Sequence, residues 1–240
     1  MESWCVGYDG DADVERHAGI EVDDAPKPVL RLRLVSDYIC PWCYIGFTRI
    51  ERLRTEFDIQ LEACAYELRP GIPPEGTLRE ELRIQSGRVY PSGYIENLIA
   101  TAADCGIEMK RPALVPNTRL AHEATEFGSE HGKLWEVHRA LFAAYFEHER
   151  NIGDVEVLRD VAASAGLDSD ELRDALTDRR YAAEVEQQLA WARAAGVTGV
   201  PTAIFNEKFA LVGAQDYDAV RDIAKRIGSG ALERGDDAGP

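Results

Sequence analysis

Hydrophobic and polar residues alternate along the first periodic stretch of the chain. Leu30, Leu32 and Leu34 are separated by arginines, and this period of two predicts a β-strand over 29–35. The same alternation predicts a second strand over 59–68. Between these strands, apolar residues recur every three or four positions, which is the period of an amphipathic helix. The pattern therefore predicts strand, helix and strand in succession, closed by a turn rich in proline and glycine.

The middle of the chain changes to the helical period. Leu134, Val137, Leu141 and Tyr145 form one apolar stripe in its most regular segment. Glycines separate the segments, whose lengths differ, so a repeat architecture is not indicated. The predicted helices cover 78–86, 92–105, 117–131, 133–148, 154–165, 169–177 and 179–195.

Short strands return near the C-terminus. They are predicted over 202–205 and 209–213, with a three-residue hairpin loop between them and a last helix over 216–227. Neither this ββα unit nor the earlier βαβ unit can cover its sheet faces alone, but together they make a four-stranded mixed sheet. The predicted fold class is α/β, with a large all-helical insertion.

The chain divides into five predicted segments. An acidic stretch without apolar period, 1–28, is expected to be a flexible leader. The βαβ half covers 29–76 and the helical insertion covers 77–195. The ββα half covers 196–228, and a polar tail follows over 229–240.

Charge narrows the range of partners. The 240 residues include 27 Lys+Arg and 43 Asp+Glu, a formal net charge of −16. Such a surface repels phosphate backbones and anionic headgroups, so neither nucleic acid nor membrane is an expected partner. The N-terminus lacks the basic and apolar regions of a secretory signal, which predicts a cytoplasmic protein. Structural disulfides are uncommon in that compartment.

Two of the five cysteines form a C-x-x-C pair at the predicted junction of strand and helix, Cys40-Pro41-Trp42-Cys43. With Cys40 as the N-cap, its sulfur faces unpaired N–H groups of the first turn, where the helix dipole favours an anion. The pKa of the Cys40 thiol is therefore expected below that of free cysteine. Cys43, one turn further on, is expected to be more buried and less acidic. One attacking thiolate and one resolving thiol suit dithiol–disulfide exchange.

A zinc site is the main alternative for a C-x-x-C pair. Zinc needs two further nitrogen or sulfur ligands, and the sequence has neither a second C-x-x-C nor a pair of histidines at ligand spacing. A binding module, with cysteines on zinc or a helical block that docks a partner, stays open as a hypothesis from a different class. We expect no bound metal or cofactor.

The motifs together resemble a known family. VSDYICPWCYIG, NTRLAHEA, AYFEHERNIGDVEVL and GVTGVPTAIFNEKFALVGAQ are similar to the DsbA-like, FrnE-type oxidoreductases of the thioredoxin superfamily. The resemblance runs from about residue 30 to 227. It implies that Cys40 is the nucleophile, Cys43 the resolving thiol and Pro201 a cis-proline that faces the dithiol. Val200 is then expected to offer its backbone to substrate.

Further substrate-binding residues are predicted around this centre. Pro41 and Trp42 lie between the two cysteines, and Asp37 could relay protons or tune the thiol. Asn117 and His122 begin a helix that could face the dithiol, although Asn117 is more typical of a helix cap.

A related branch gives the second hypothesis. The 2-hydroxychromene-2-carboxylate isomerases and kappa-class glutathione transferases share the insertion, use glutathione, and typically have serine where Cys40 stands. The intact pair therefore favours exchange with thiol or disulfide substrates, proteins or small molecules, over a glutathione-dependent isomerisation of an aromatic or polyketide-like molecule. Glutathione stays a candidate co-substrate. We expect a monomer or a homodimer.

Overall fold

A computed structural model describes residues 26–87 and 89–232. Most of the predicted leader and tail, including Cys5, therefore lies outside the described residues. The ordered strands and helices begin with β1 (Val29–Ser36), α1 (Pro41–Arg52) and β2 (Asp58–Ala65). A short 3₁₀ turn, Leu53–Thr55, connects α1 to β2.

The two predicted halves join in one sheet. Its strand order is β2-β1-β5-β6, where β5 is Thr202–Phe205 and β6 is Phe209–Val212. β1 runs parallel to β2 and antiparallel to β5, and β6 runs antiparallel to β5. The predicted four-stranded mixed sheet is confirmed.

All seven predicted helices of the insertion are present, and they end close to the predicted positions. Two boundaries differ for a local reason. The helix predicted over 179–195 begins three residues later because Arg179 has a left-handed φ of 53°, and the helix predicted over 92–105 begins after Gly93, whose φ is 78°. The helices are α2 (Arg79–Ser86), α3 (Tyr94–Asp104), α4 (Arg119–Glu130), α5 (Leu134–Phe146), α6 (Val155–Ser164), α7 (Ser169–Thr177) and α8 (Ala182–Ala194), and α9 (Tyr217–Gly228) follows the sheet.

Two strands of the insertion were not predicted. β3 (Thr77–Leu78) pairs with β4 (Leu114–Val115) in a separate antiparallel ladder. Two residues are too few to show a period of two, so the sequence carries no signal for them. The ladder fixes the start of α2 beside the segment that precedes α4.

The core lies between the sheet and the helices around it. Leu30, Leu32 and Leu34 are fully buried, as their alternation predicts. β2 ends at Ala65 instead of the predicted residue 68, because the backbone N–H of Leu68 turns away to donate to a side chain, that of Asp37. Among the described residues, no helix is both long and apolar enough to cross a bilayer.

Candidate active site

The Cys40–Cys43 pair lies where β1 passes into α1. Cys40 is the N-cap, with extended backbone, and Pro41 occupies the first helical position, where its missing N–H costs no helical hydrogen bond. Both cysteines are free thiols. Cys40 is 7% exposed to solvent, whereas Cys43 is completely buried. Of the two thiols, only that of Cys40 is accessible to a bound molecule.

The surroundings of Cys40 favour its thiolate. The Cys43 thiol donates a hydrogen bond to the Cys40 sulfur, and this contact is the largest factor that lowers the Cys40 pKa. Burial opposes the shift, and the backbone N–H groups of Cys43 and Trp42 reinforce it. These N–H groups belong to the first turn of α1, where the unpaired donors of a helix face an anion.

The pKa of the Cys43 thiol is shifted in the opposite direction. Complete burial, together with its donation to Cys40, raises the pKa of the Cys43 thiol well above its ordinary value. The backbone N–H of Asp37 opposes this shift by donating to the Cys43 sulfur. The pair thus combines an acidic, accessible thiol with a protonated, enclosed one.

The second half of the site is the loop before β5. The Val200–Pro201 peptide bond is cis, as the family resemblance implies. The Cys40 thiol donates to the carbonyl oxygen of Val200, with 3.7 Å between Sγ and O. The loop therefore presents backbone polar groups directly beside the accessible sulfur.

The contact between α1 and this loop depends on Gly46. A Cβ atom at Gly46 would lie 2.9 Å from Cγ of Pro201, inside van der Waals contact with a rigid ring. We expect Gly46→Ala to displace the loop, to lower the free energy of unfolding by about 1–3 kcal/mol and to slow disulfide exchange. Denaturant unfolding and exchange rates check this. Gly71→Ala is the matched control, since no atom lies within 4 Å of its Cβ position; equal losses in both variants would contradict the steric explanation.

Asp37 lies behind the dithiol and is wholly buried. Its carboxylate accepts hydrogen bonds from the backbone N–H groups of Leu68 at 2.7 Å and Ile39 at 3.4 Å, and from the side chain of Thr118. Burial outweighs these contacts and raises the pKa of Asp37 to about 7. A carboxyl group in this range can accept or release a proton near neutral pH.

His122 and Asn117 lie away from the opening beside Cys40. His122 is 4% exposed; its Nε2 is 3.2 Å from the carbonyl oxygen of Tyr66 and 3.9 Å from Oδ1 of Asp37, and burial lowers its pKa to about 3. His122 is therefore a neutral neighbour of Asp37. Asn117 accepts from the N–H of Arg119 and donates to the carbonyl oxygen of Ile72, but the N-cap of α4 is Thr118 and not Asn117 as predicted. Neither residue lines the cavity, and their contact with substrate stays a prediction.

Trp42 joins an aromatic wall that the sequence did not reveal. Its indole N–H donates to the hydroxyl of Tyr94 at 2.8 Å, and the two rings meet edge to face. Tyr94 in turn stacks on Tyr90, with 4.8 Å between the ring centroids. The indole of Trp42 is thereby held at the edge of the opening to Cys40.

A cavity of about 440 Å³ opens beside Cys40. α1 and the loop before it, α2, α3 and the segment before β4 contribute to its walls. Its apolar lining includes Ile39, Trp42, Leu82, Leu98, Met109 and Phe146. Five basic residues also line it, namely Arg69, Arg79, Arg83, Lys110 and Arg111. None of these five was predicted, because they are scattered over more than forty positions without a pattern.

A buried polar cluster around Tyr38 was not predicted from the sequence. The hydroxyl of Tyr38 contacts the hydroxyl of Thr125 and lies 2.7 Å from Nδ1 of His138. His138 is buried, which lowers its pKa to about 3. The cluster packs against the aromatic core, where Tyr38 and His138 both contact Phe142, and it does not reach the cavity. Within 26–87 and 89–232, no group of three His, Cys, Asp or Glu side chains is placed to hold a metal.

The model of a family described as DSBA-like thioredoxin domain matches residues 31–225. The chain belongs to this family. This DSBA-like chain is 30% identical over 181 residues to the uncharacterized protein YwbO of Bacillus subtilis (strain 168), a match that covers 74% of this chain and 88% of YwbO. The finer assignment to FrnE-type enzymes stays a prediction.

Solved structures of the same fold agree. The probable DsbA oxidoreductase SCO1869 from Streptomyces coelicolor is 27% identical, with a TM-score of 0.75 over 88% of this chain and 92% of that one. A 2-hydroxychromene-2-carboxylate isomerase is 18% identical, with a TM-score of 0.62 over 87% of this chain and 100% of the other. The chain thus has the fold of DsbA-like thiol oxidoreductases, and the predicted thioredoxin fold with a helical insertion is confirmed.

Proposed function

We propose that this DSBA-like protein is a thiol–disulfide oxidoreductase that works through the Cys40–Cys43 dithiol. One observation carries the proposal. Two free thiols at the start of one helix have pKa values shifted in opposite directions, and the more acidic one faces the Val200–Pro201 loop. An accessible thiolate paired with an enclosed, protonated partner is what stepwise exchange requires.

The proposed reaction has two steps. The Cys40 thiolate attacks one sulfur of a substrate disulfide, so that a mixed disulfide forms and the other substrate sulfur leaves as a thiolate. Cys43 then gives up its proton and attacks the Cys40 sulfur, which forms the Cys40–Cys43 bond and releases the second substrate thiolate. Asp37 is the proposed acceptor of the Cys43 proton, because it is buried against this thiol and its pKa is about 7. The substrate gains two electrons and the dithiol loses two.

The same steps run in reverse when the Cys40–Cys43 disulfide meets substrate thiols. Contacts that stabilise the Cys40 thiolate favour the reduced dithiol, and this makes the disulfide more oxidising. A cytosolic disulfide reductase of Pseudomonas aeruginosa that shares the fold, DsbM, has been solved with glutathione. Glutathione is the small thiol that we propose as co-substrate here.

A redox titration tests the proposal. The protein is equilibrated in glutathione or dithiothreitol buffers, alkylated and analysed by mass spectrometry, so that Cys40 and Cys43 are counted separately. We expect both thiols to change together in one two-electron transition. A midpoint near about −120 mV would place the pair with DsbA as an oxidant, and one near about −270 mV with thioredoxin as a reductant. A pair that stays reduced at every potential would contradict the proposal.

The acidity of Cys40 gives a separate pH prediction. Cys40 should be alkylated with an apparent pKa below the value of about 8.5 that free cysteine shows, because the Cys43 thiol and two N–H groups stabilise its thiolate. Its reaction rate should therefore level off at a lower pH than that of a free thiol. Cys43 should not react in the same range, since burial raises its pKa. An apparent pKa of Cys40 at or above that of free cysteine would contradict the thiolate mechanism.

A glutathione-dependent isomerase is the second candidate, and the concave cavity beside Cys40 favours it. A pocket of about 440 Å³ beside Cys40 suits a small organic molecule, and a 2-hydroxychromene-2-carboxylate isomerase shares the fold. Such an activity needs a group at position 40 but no resolving thiol. The behaviour of a Cys43 variant therefore separates the two candidates.

A further inference from the structure

The charge of the cavity beside Cys40 is opposite to that of the whole protein. The chain carries a formal net charge of −16, yet five basic side chains line this one cavity. Among the described residues, no aspartate or glutamate lines it. Bases concentrated in one concave site of an acidic protein create a local positive potential where a ligand would enter.

Most of these bases have no carboxylate partner within the described part of the chain. The half-buried guanidinium of Arg79 is held only by neutral acceptors, the carbonyl oxygen of Pro112 at 2.8 Å and the hydroxyl of Tyr145 at 2.9 Å. Arg69, Lys110 and Arg111 form no ion pair there either. A fixed guanidinium without a counter-charge is prepared to bind an anion.

One acidic residue does approach the group. Glu80 pairs with Arg83 at 2.6 Å and also lies within electrostatic reach of Arg111. It lies outside the cavity lining, and both of its carboxylate oxygens accept hydrogen bonds from Arg83. The remaining positive charge therefore still faces the cavity.

Another part of the cavity lining is apolar and partly exposed. Leu68, Tyr90 and Ile99 are among the most exposed large hydrophobic residues of the described chain, at 45%, 38% and 43%, and all three line this cavity. Trp42 and Tyr94 add flat ring surfaces beside Cys40. Exposed apolar side chains gathered around one concavity indicate a binding surface.

We propose that the cavity selects small disulfides and thiols that combine an apolar, preferably aromatic, body with an anionic group. The apolar body lies against the wall of α3, the anion faces Arg79, Lys110 and Arg111, and the reacting sulfur meets Cys40. This specificity rests on the proposed function, because it concerns substrates of the same thiolate. Since Cys40 is only 7% exposed and opens into this cavity, a small molecule fits the site better than a protein surface.

Disulfide probes of different charge test the electrostatic part. The rate constant of Cys40 in the reduced protein is measured with dithiobis-nitrobenzoate, an anionic aromatic disulfide, and with dithiodipyridine, a neutral aromatic one. The ratio of the two rates cancels any change in the Cys40 pKa. The double variant Lys110→Gln/Arg111→Gln should lower this ratio on the order of tenfold. Higher salt should lower the wild-type ratio as the Debye length falls from about 10 Å to about 3 Å.

Lys225→Gln/Arg226→Gln on α9 is the matched control. It removes the same charge from residues that do not line the cavity, so the ratio should stay near that of the wild type. If the rate ratio fell equally in both double variants, the net charge of the protein would explain the effect and the proposal would be overturned. A Cys40 that reacts with both probes without any charge preference would also overturn it, while the proposed function would stand. If Cys40 forms no mixed disulfide with either probe, both the proposed specificity and the proposed oxidoreductase function would be contradicted.

A second pair of variants tests the apolar wall. Ile99→Ser should slow both aromatic probes several-fold relative to oxidised glutathione, which is anionic but has no aromatic body. Ile84→Ser is the control, since Ile84 is 68% exposed on the neighbouring helix and does not line the cavity. Both positions are exposed, so neither variant should unfold the protein. An Ile99→Ser variant with unchanged relative rates would contradict the placement of the apolar body.

Discussion

Cys43→Ser should stop turnover with disulfide substrates while the first attack by Cys40 continues. We expect turnover to fall on the order of a thousandfold or more, because the mixed disulfide on Cys40 loses the thiol that resolves it. Mass spectrometry should find the substrate sulfur bound to Cys40 in stoichiometric amount. A serine hydroxyl can still donate to the Cys40 sulfur, so the thiolate keeps the partner that lowers its pKa most.

The chain offers a matched cysteine substitution. Cys105→Ser changes a half-buried thiol outside the site and should leave exchange unaffected. If Cys43→Ser also turned over at the wild-type rate, a chemistry that needs only position 40 would be operating. That outcome would favour the glutathione-dependent isomerase over the oxidoreductase.

Asp37→Asn should make the protein more stable than the wild type at about pH 8, by a difference that grows between about pH 4 and 7. Asp37 has a pKa of about 7 in the folded protein because it is buried. As pH rises above about 4, the unfolded chain releases this proton and the folded protein holds it, so Asp37 destabilises the fold increasingly until about pH 7. Buried His122 and His138, whose pKa values are about 3, act in the opposite sense, but both are present in the variant, so the difference between variant and wild type isolates Asp37. The difference between the Asp37 pKa values in the unfolded and folded chain corresponds to about 4 kcal/mol of lost stability at about pH 8. Asparagine avoids this loss, but its amide is a weaker hydrogen-bond acceptor, which lowers the net gain in stability by about 1 kcal/mol.

Denaturant unfolding at several pH values checks the Asp37 prediction. Asp222→Asn removes an exposed carboxylate on α9 and should change stability by less than about 0.5 kcal/mol. A kinetic measurement adds the functional test. If Asp37 accepts the Cys43 proton, its variant should resolve the mixed disulfide on the order of tenfold to a hundredfold more slowly. A variant more stable than the wild type but equally fast would leave Asp37 without a role in proton transfer.

The elements of the fold were predictable where burial imposes a period on the sequence. β1 has one buried face, so Leu30, Leu32 and Leu34 reveal it directly. The end of β2 was not predictable, because it depends on a hydrogen bond from the Leu68 N–H to a carboxylate 31 residues earlier. The late start of α8 likewise follows from the left-handed backbone of Arg179. Arginine does not favour this conformation, so the sequence does not predict it.

The candidate site was predictable to the extent that its chemistry is local. Cys40, Pro41 and Cys43 form one helical turn, so their spacing alone predicts an accessible and a buried thiol. The cationic cavity depends instead on tertiary contacts. The β3–β4 ladder, only two residues on each strand, brings Arg79 into contact with Pro112 and Ala113, directly after Lys110 and Arg111 in the chain. A pattern along the sequence does not predict such contacts between segments that are far apart in the chain.

The order of the strands also has a consequence during synthesis. Cys40 and Val200 are 160 residues apart, and the whole helical insertion lies between them. Joining the ends of so long a loop costs about 4–5 kcal/mol of chain entropy, a cost that only β5 pairing and helix packing can offset. On the ribosome both thiols therefore emerge well before the loop that frames them. A nascent or truncated chain therefore holds the cysteine pair without the Val200–Pro201 loop beside it, and the two come together only when the last strands dock.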